Sequence, residues 1–216
     1  MRKEKFSSGS IFHVFNRSIA HFGIFKNPDN AQRFIEALDY YNNFEFKKKF
    51  SLARKEQEFN YQNLLLPRPT IYIKFLSYCI MPDHYHLLVK ILVENYLSKF
   101  INDVGNSFTR FFNIKFERKG PLWESSFKVV RVRSDQQFLH LSRYIHLNPT
   151  TAGLVDRPED WLFSSYRDII SDTCFLKEVL KEYSIDNVAA YKRFVEDNKD
   201  YQRKLKLIEK KYQENK

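Results

Sequence analysis

The sequence predicts an α+β fold, an antiparallel sheet with packed helices and a helical C-terminal extension. Three observations lead there. Short runs of β-branched and aromatic residues alternate with longer runs at helical spacing. The runs follow the order strand, helix, strand, strand, helix, strand, which is that of a ferredoxin-like sandwich. A 216-residue chain with 43% hydrophobic and 17% aromatic residues can fill one core and carry an appendage.

The first strand is Ser10-Ile11-Phe12-His13-Val14-Phe15-Asn16. His13 has two readings, a third ligand to a metal or a strand residue with a local partner. Asn27-Pro28-Asp29 signals a helix start, and Phe34, Leu38 and Tyr41 space a helix from about Asn30 to Phe46. Residues 47–69, from the Lys47-Lys48-Lys49 run to Pro67-Arg68-Pro69, are charged with scattered apolar residues and read as an insertion or long loop. A second strand over Thr70 to Ile80, the turn Met81-Pro82-Asp83 and a returning strand from His84 form a hairpin. Leu97, Ile101, Val104, Phe108 and Phe111 mark an amphipathic helix. Gly120-Pro121 ends it, and Ser126 to Arg133 is the last strand, with Phe127, Val129, Arg131 and Arg133 on one face. Asp135 is the expected N-cap of a helix that Asn148-Pro149 brings to an end, with Phe138, Leu141 and Ile145 as its buried stripe.

Residues 1–170 therefore make one domain and 171–216 a helical extension, with one helix over Phe175 to Leu180 and another from Asn187 to about Tyr212. A net charge of +10 and a pI near 9.4 point to a polyanionic partner, nucleic acid before a membrane surface. With only Cys79 and Cys174, no apolar run of membrane-spanning length and no signal-peptide pattern, a cytoplasmic protein without a disulfide framework is expected.

The chemistry centres on His84-Tyr85-His86. Alternation along a strand puts His84 and His86 on one face with Leu88 and Lys90, and two imidazoles so placed can share a divalent cation. On the later helix, Tyr144 and Asn148 are four residues apart and share one edge of the buried stripe, with His140 a turn earlier. Tyr144 either reaches a metal held by the histidines or is a packing residue with a solvated hydroxyl.

Three motifs, Met81-Pro82-Asp83-His84-Tyr85-His86-Leu87-Leu88, Arg143-Tyr144-Ile145-His146-Leu147-Asn148-Pro149 with Ala152-Gly153-Leu154-Val155, and Trp161-Leu162-Phe163-Ser164-Ser165-Tyr166, in this order, resemble the REP-associated tyrosine transposases, single-tyrosine HUH transposases. The resemblance runs from about Ile11 to Tyr166. It implies the HUH endonuclease fold, His84 and His86 as metal ligands, Asn148 as the residue completing the metal site, and Tyr144 as nucleophile. It also implies Mg²⁺ or Mn²⁺ as cofactor, single-stranded DNA with a palindromic hairpin as partner, and a monomer or homodimer. Asp83 stands where asparagine or another polar residue is expected, and Ser126 where relatives often carry a basic one.

In that chemistry a tyrosine hydroxyl attacks a phosphodiester, forming a 5′-phosphotyrosine and freeing a 3′-hydroxyl, and a second 3′-hydroxyl reverses the step to transfer the strand. A phenol titrates near about 10, so it needs a cation or a base such as His140 beside it. Lys90, Lys128, Arg131 and Arg133 are candidate phosphate contacts. Two other functions use the same residues: a nucleic-acid-binding protein that has lost turnover, and a metal phosphoesterase in which water attacks and Tyr144 only packs.

Overall fold

The computed structural model describes residues 5–45, 48–56, 59, 61, 63–171, 182, 184–185 and 187–197. Four strands, β1 (Ile11–Arg17), β2 (Ile73–Ile80), β3 (His84–Ile91) and β4 (Lys128–Val132), form an antiparallel sheet in the order β2-β3-β1-β4. With α1 (Pro28–Tyr41) between β1 and β2 and α3 (Leu97–Lys115) between β3 and β4, this is the expected ferredoxin-like arrangement. The short α2 (Phe50–Lys55) lies in the insertion, α4 (Asp135–Thr151) and α5 (Tyr166–Ile170) follow the sheet, and α6 (Val188–Glu196) packs on α4 and α5. The helix expected over 175–180 and the rest of the final helix lie outside the described residues. Among the described residues no helix is long and apolar enough to cross a membrane.

The two faces of the sheet are covered differently. On one, α1 and α3 bury Phe34 and Phe108 against Tyr85, Phe25 and Trp123, with Phe34 centred 5.0 Å from Tyr85 and 5.3 Å from Phe108. Phe12, Val14, Leu87 and Val89 complete that core, which follows from strand alternation. On the other face lies α4, crossing β2 and β3.

Several boundaries differ from the sequence expectation, each for a local reason. α1 starts at Pro28, because the Asn27 side chain caps Asp29 N–H at 2.8 Å, and it stops at Tyr41 rather than Phe46. Beyond it the buried Asn42 amide bonds both main-chain groups of Ile73, at 2.8 and 3.0 Å, so β2 starts there and not at Thr70. The last strand is confined to Lys128–Val132. Ser134, not Asp135, caps α4, its hydroxyl accepting from Gln137 N–H, while Asp135 sits in the first turn, where a negative charge suits the helix dipole. α4 also runs through Pro149 to Thr151. A proline removes only one N–H, and Ala152 N–H still reaches Asn148 O at 2.9 Å and Leu154 N–H reaches Pro149 O at 3.0 Å.

The C-terminal half of α4 is buried beyond its predicted stripe, whereas Leu141 is only half-buried. His146, wholly buried, joins three elements: its Nδ1 is 2.7 Å from the Tyr191 hydroxyl on α6, and its Nε2 is 2.9 Å from the Ser165 hydroxyl. Ser165 in turn accepts from Tyr78 N–H on β2 at 2.9 Å. The Trp-Leu-Phe-Ser-Ser-Tyr segment covers the outer edge of β2, with Ile80 N–H donating to Phe163 O at 2.8 Å and Trp161 Nε1–H to Ile80 O at 3.0 Å. The cover falls at the Tyr78–Ile80 end of the edge strand, beside the histidine hairpin.

Candidate active site

β3 begins at a pinned turn. Ser18 N–H donates to Asp83 O at 2.8 Å, Phe25 N–H to Pro82 O at 2.9 Å, and Met81 N–H to His84 O at 2.8 Å, so the loop after β1 fixes the start of the strand that carries the histidines. His84 and His86 lie on the same face, ring centres 5.1 Å apart and nearly perpendicular. Each has its Nδ1 engaged. Asp83 Oδ1 accepts from His84 Nδ1–H at 2.5 Å, and Asp83 Oδ2 lies 3.0 Å from His21 Nδ1 and 3.9 Å from Arg17 Nε. Burial alone would raise the Asp83 pKa; the bonds and charges of His84, His21 and Arg17 outweigh it and hold the group well below the carboxylate range. His86 Nδ1 is 2.9 Å from His13 Nε2 on the neighbouring strand. Burial lowers the His13 pKa to about 4, which keeps that ring neutral and able to accept. With Nδ1 carrying the proton, the ring lone pair of each β3 histidine is on Nε2, the nitrogen able to bind a cation. Of the two readings of His13, the structure has the local partner.

α4 brings its residues to the same place. The Tyr144 ring stands edge-on to His86 with centres 5.5 Å apart, and its side chain is 42% exposed. Asn148, one turn on, is buried, and its amide nitrogen has no hydrogen-bond partner. His84, His86, Tyr144, Asn148 and Lys128 line one cavity of about 330 Å³, together with Arg17 and Glu124, which the sequence reading did not single out. Lys128 joins because it pairs with Phe15 across the β1–β4 ladder and so shares its face, and Phe15 pairs with His86.

The remaining candidates lie elsewhere. Lys90 is on the histidine face, but it is six residues along β3 from His84, roughly 20 Å at strand rise, and its ammonium is 3.0 Å from both Glu182 oxygens. Arg131 pairs with Phe12, hence on the opposite face, and donates to the Ser10 hydroxyl at 3.2 Å. Arg133 follows the end of β4, its N–H donating to Gln137 Oε1 at 2.8 Å. His140 is exposed and does not line the cavity; its Nδ1 accepts from Arg143 Nη2 at 2.7 Å.

Among the described residues no three His, Cys, Asp or Glu side chains group to hold a metal. A donor set of two imidazoles and one amide is outside that definition, and its chemistry suits a divalent cation with remaining positions open to oxygen ligands. Asn148 Nδ2, buried without a partner, is a donor that an anionic oxygen such as a phosphate's would satisfy, and Oδ1 of the same amide is the atom able to join the two imidazoles on a cation.

Residues 68–148 match the family model of the IS200-like transposases. The chain resembles that family. The IS200-like stretch runs from the end of the insertion to Asn148 and so contains His84, His86 and Tyr144. A Haemophilus influenzae protein named as a REP-associated tyrosine transposase is 30% identical over 106 residues, 44% of this chain, and the match spans 60% of that relative's length. A solved REP-associated tyrosine transposase bound to a REP hairpin superposes with a TM-score of 0.54 at 15% identity, covering 80% of this chain and 86% of the other. At that identity the likeness is one of fold, and the fold agrees with the one described above.

Proposed function

We propose that this chain is a transposase-like single-stranded DNA endonuclease and strand transferase with Tyr144 as its nucleophile. The observation that carries the proposal is the single cavity shared by His84 and His86 of β3 and Tyr144 and Asn148 of α4, two halves some 60 residues apart in sequence. The IS200-like match supports the reaction class, and the hairpin held by the structural relative supports a hairpin-forming DNA partner.

In this reading Tyr144 Oη attacks the scissile phosphorus; the Oη–P bond forms, the P–O3′ bond breaks, and the 3′-oxygen leaves as a hydroxyl while the phenol gives up its proton. His84, His86 and Asn148 would hold Mg²⁺ or Mn²⁺, which when bound supplies charge stabilisation at the non-bridging oxygens. Asp83 and His13 orient the two imidazoles, as outer partners of metal-binding histidines do. Lys128 and Arg17 set positive charge beside the phosphate, and Glu124 is a carboxylate lining the same cavity. Because the phosphotyrosine conserves the phosphoester, a second 3′-hydroxyl can rejoin the strand without ATP. We take residues 1–170 as the catalytic domain, 47–69 as an insertion and 171–216 as a helical extension whose α6 docks on α4.

The deciding experiment mixes the protein with a hairpin-bearing oligonucleotide and Mn²⁺ and looks for a protein–DNA adduct on a denaturing gel. Wild type gives the adduct and Tyr144→Phe gives none while still binding DNA. An undiminished adduct in Tyr144→Phe, or cleaved DNA with no adduct in wild type, overturns the assignment, the second result pointing to water as nucleophile.

A further inference from the structure

A cavity of about 430 Å³ lies between α1, α2 and α3, in the helical layer on the opposite side of the sheet from the histidines. It shares no lining residue with the histidine cavity. Two of its residues, Lys49 and Ser51, come from the 47–69 insertion, outside the 68–148 stretch that matches the transposase family. The pocket therefore needs a segment that the shared reaction does not explain.

Its charge is unbalanced in a way the surrounding surface is not. Nearby, Lys48 pairs with Glu56 at 2.9 Å and Arg54 with Glu36 at 3.3 Å, and Asp103, the one carboxylate among the described residues that line the cavity, is paired with Lys99 at 2.6 Å, so these acids are already engaged. Among the described residues Arg33, Lys49 and Arg110 line the cavity with no ion pair, and Lys115 donates to the neutral Asn30 amide oxygen at 2.8 Å and lies over the Phe111 and Phe116 rings. Arg33 is also held in place. Its guanidinium carbon stands 4.2 Å from the centre of the Phe111 ring and 5.1 Å from that of Phe50, a cation clasped by two aromatic faces and partly withdrawn from water. Burial, with the charge of Arg54, lowers its pKa, the mark of a cation short of compensation. A fixed, underpaired guanidinium is a ready partner for a phosphate, whose oxygens match its fork.

The wall beside these cations is apolar. Phe111 and Ile114 both line the cavity, and Ile114 is 74% exposed, so an apolar surface open to a ligand stands beside the cations. The volume falls in the range of roughly 300–1,000 Å³ of small-molecule sites. We propose that this cavity binds a nucleotide unit, its phosphate against Arg33, Lys49 and Arg110 and its base against Phe111 and Ile114, supplied either as a free nucleotide or as one residue of a DNA strand. The proposal does not depend on Tyr144 being a nucleophile, because the two sites have no residue in common.

The test uses the full chain and three ligands: deoxyadenosine monophosphate and inorganic phosphate by calorimetry, and a labelled single-stranded oligonucleotide by anisotropy. The main variant is Lys49→Gln with Arg110→Gln, both side chains exposed, with unchanged circular dichroism as the fold check. Arg33→Gln is informative only as a companion, since it also removes the aromatic clasp. For a free nucleotide, the double variant weakens deoxyadenosine monophosphate at least tenfold and leaves the oligonucleotide unchanged. For a strand-borne nucleotide, oligonucleotide affinity drops at least tenfold and its salt slope falls by about 1.4, the single-strand value for two lost phosphate contacts. Affinity of the double variant equal to wild type for both ligands overturns the proposal, as does wild-type binding of neither. Inorganic phosphate binding as tightly as the nucleotide also overturns it, reducing the cavity to an adventitious ion only.

Discussion

β3 presents two unlike faces to the rest of the molecule. Tyr85, Leu87 and Val89 enter a dry aromatic core with Phe34 and Phe108, where each ring has several ring neighbours and no polar group asks for a partner. One residue away along the same strand, His84 and His86 face a cavity where nearly every side chain is polar and where the Asn148 amide lacks a partner. The difference teaches that the strand's rigidity is obtained on one face and used on the other. Packing at interior density leaves the backbone little freedom, and that fixes the imidazoles more closely than a loop could.

If so, mutations on the two faces should separate. The largest effect is expected for Tyr144→Phe, which removes one exposed oxygen: adduct formation disappears from a denaturing gel, while the thermal midpoint stays within a degree or two. The opposite pattern is expected for Phe34→Ala, about 3–5 kcal/mol lost in denaturant unfolding from the cavity it leaves, with unchanged adduct yield per folded molecule at low temperature. A smaller effect should follow from His13→Ala, which leaves His86 without its Nδ1 partner: Mn²⁺ affinity measured by calorimetry falls about 10–100-fold, and restoring a side-chain amide with His13→Gln recovers part of it. If His13→Ala binds Mn²⁺ as wild type does, the two faces are less distinct than described, and His86 is held by packing alone.

Acid should act through a group behind the site. Burial lowers the His146 pKa to about 3, so below the ordinary value of 6.5 the unfolded chain takes up a proton that the folded chain refuses. Its contribution is thus complete above pH 6.5 and is lost as pH falls toward 3, at about 1.4 kcal/mol per unit. Urea unfolding at pH 7 and pH 5.5 checks this, with His146→Gln expected to flatten the dependence. The smallest effect is expected for Lys128→Gln, a decrease of about 0.7–0.9 in the salt slope of DNA binding with no change in stability.

Much of this was readable from residue spacing. Strand alternation placed His84 beside His86, and a four-residue helical step placed Tyr144 beside Asn148, because both depend only on local geometry. What escaped depends on register between distant strands or on chain folded back from far away. His13 reaches His86 diagonally, since the β1–β3 register sets His13 opposite Leu88 and Phe15 opposite His86. Asp83 looked like a harmless variation in the turn, yet its carboxylate holds His84. Arg131 was grouped with Lys128 as a phosphate contact, although the alternation that sets Arg131 beside Val129 on one face leaves Lys128 on the other; which face met the histidines needed the pairing with β1. Nothing near Lys90 in sequence announces Glu182. Pro149 misled for a different reason: it withdraws one N–H, and the bonds from Ala152 to Asn148 and from Leu154 to Pro149 carry the turn on around that gap.

The hydrogen-bonded line from Tyr191 through His146 and Ser165 to Tyr78 gives the far end of the described chain a hold on the helix that carries Tyr144. A shortened version of the protein ending before Asn187 would keep every residue of the histidine cavity and still strand one nitrogen of a wholly buried imidazole, at a cost of about 1–3 kcal/mol. Anyone trimming this protein to its histidine cavity would be cutting into the support of the helix that carries Tyr144.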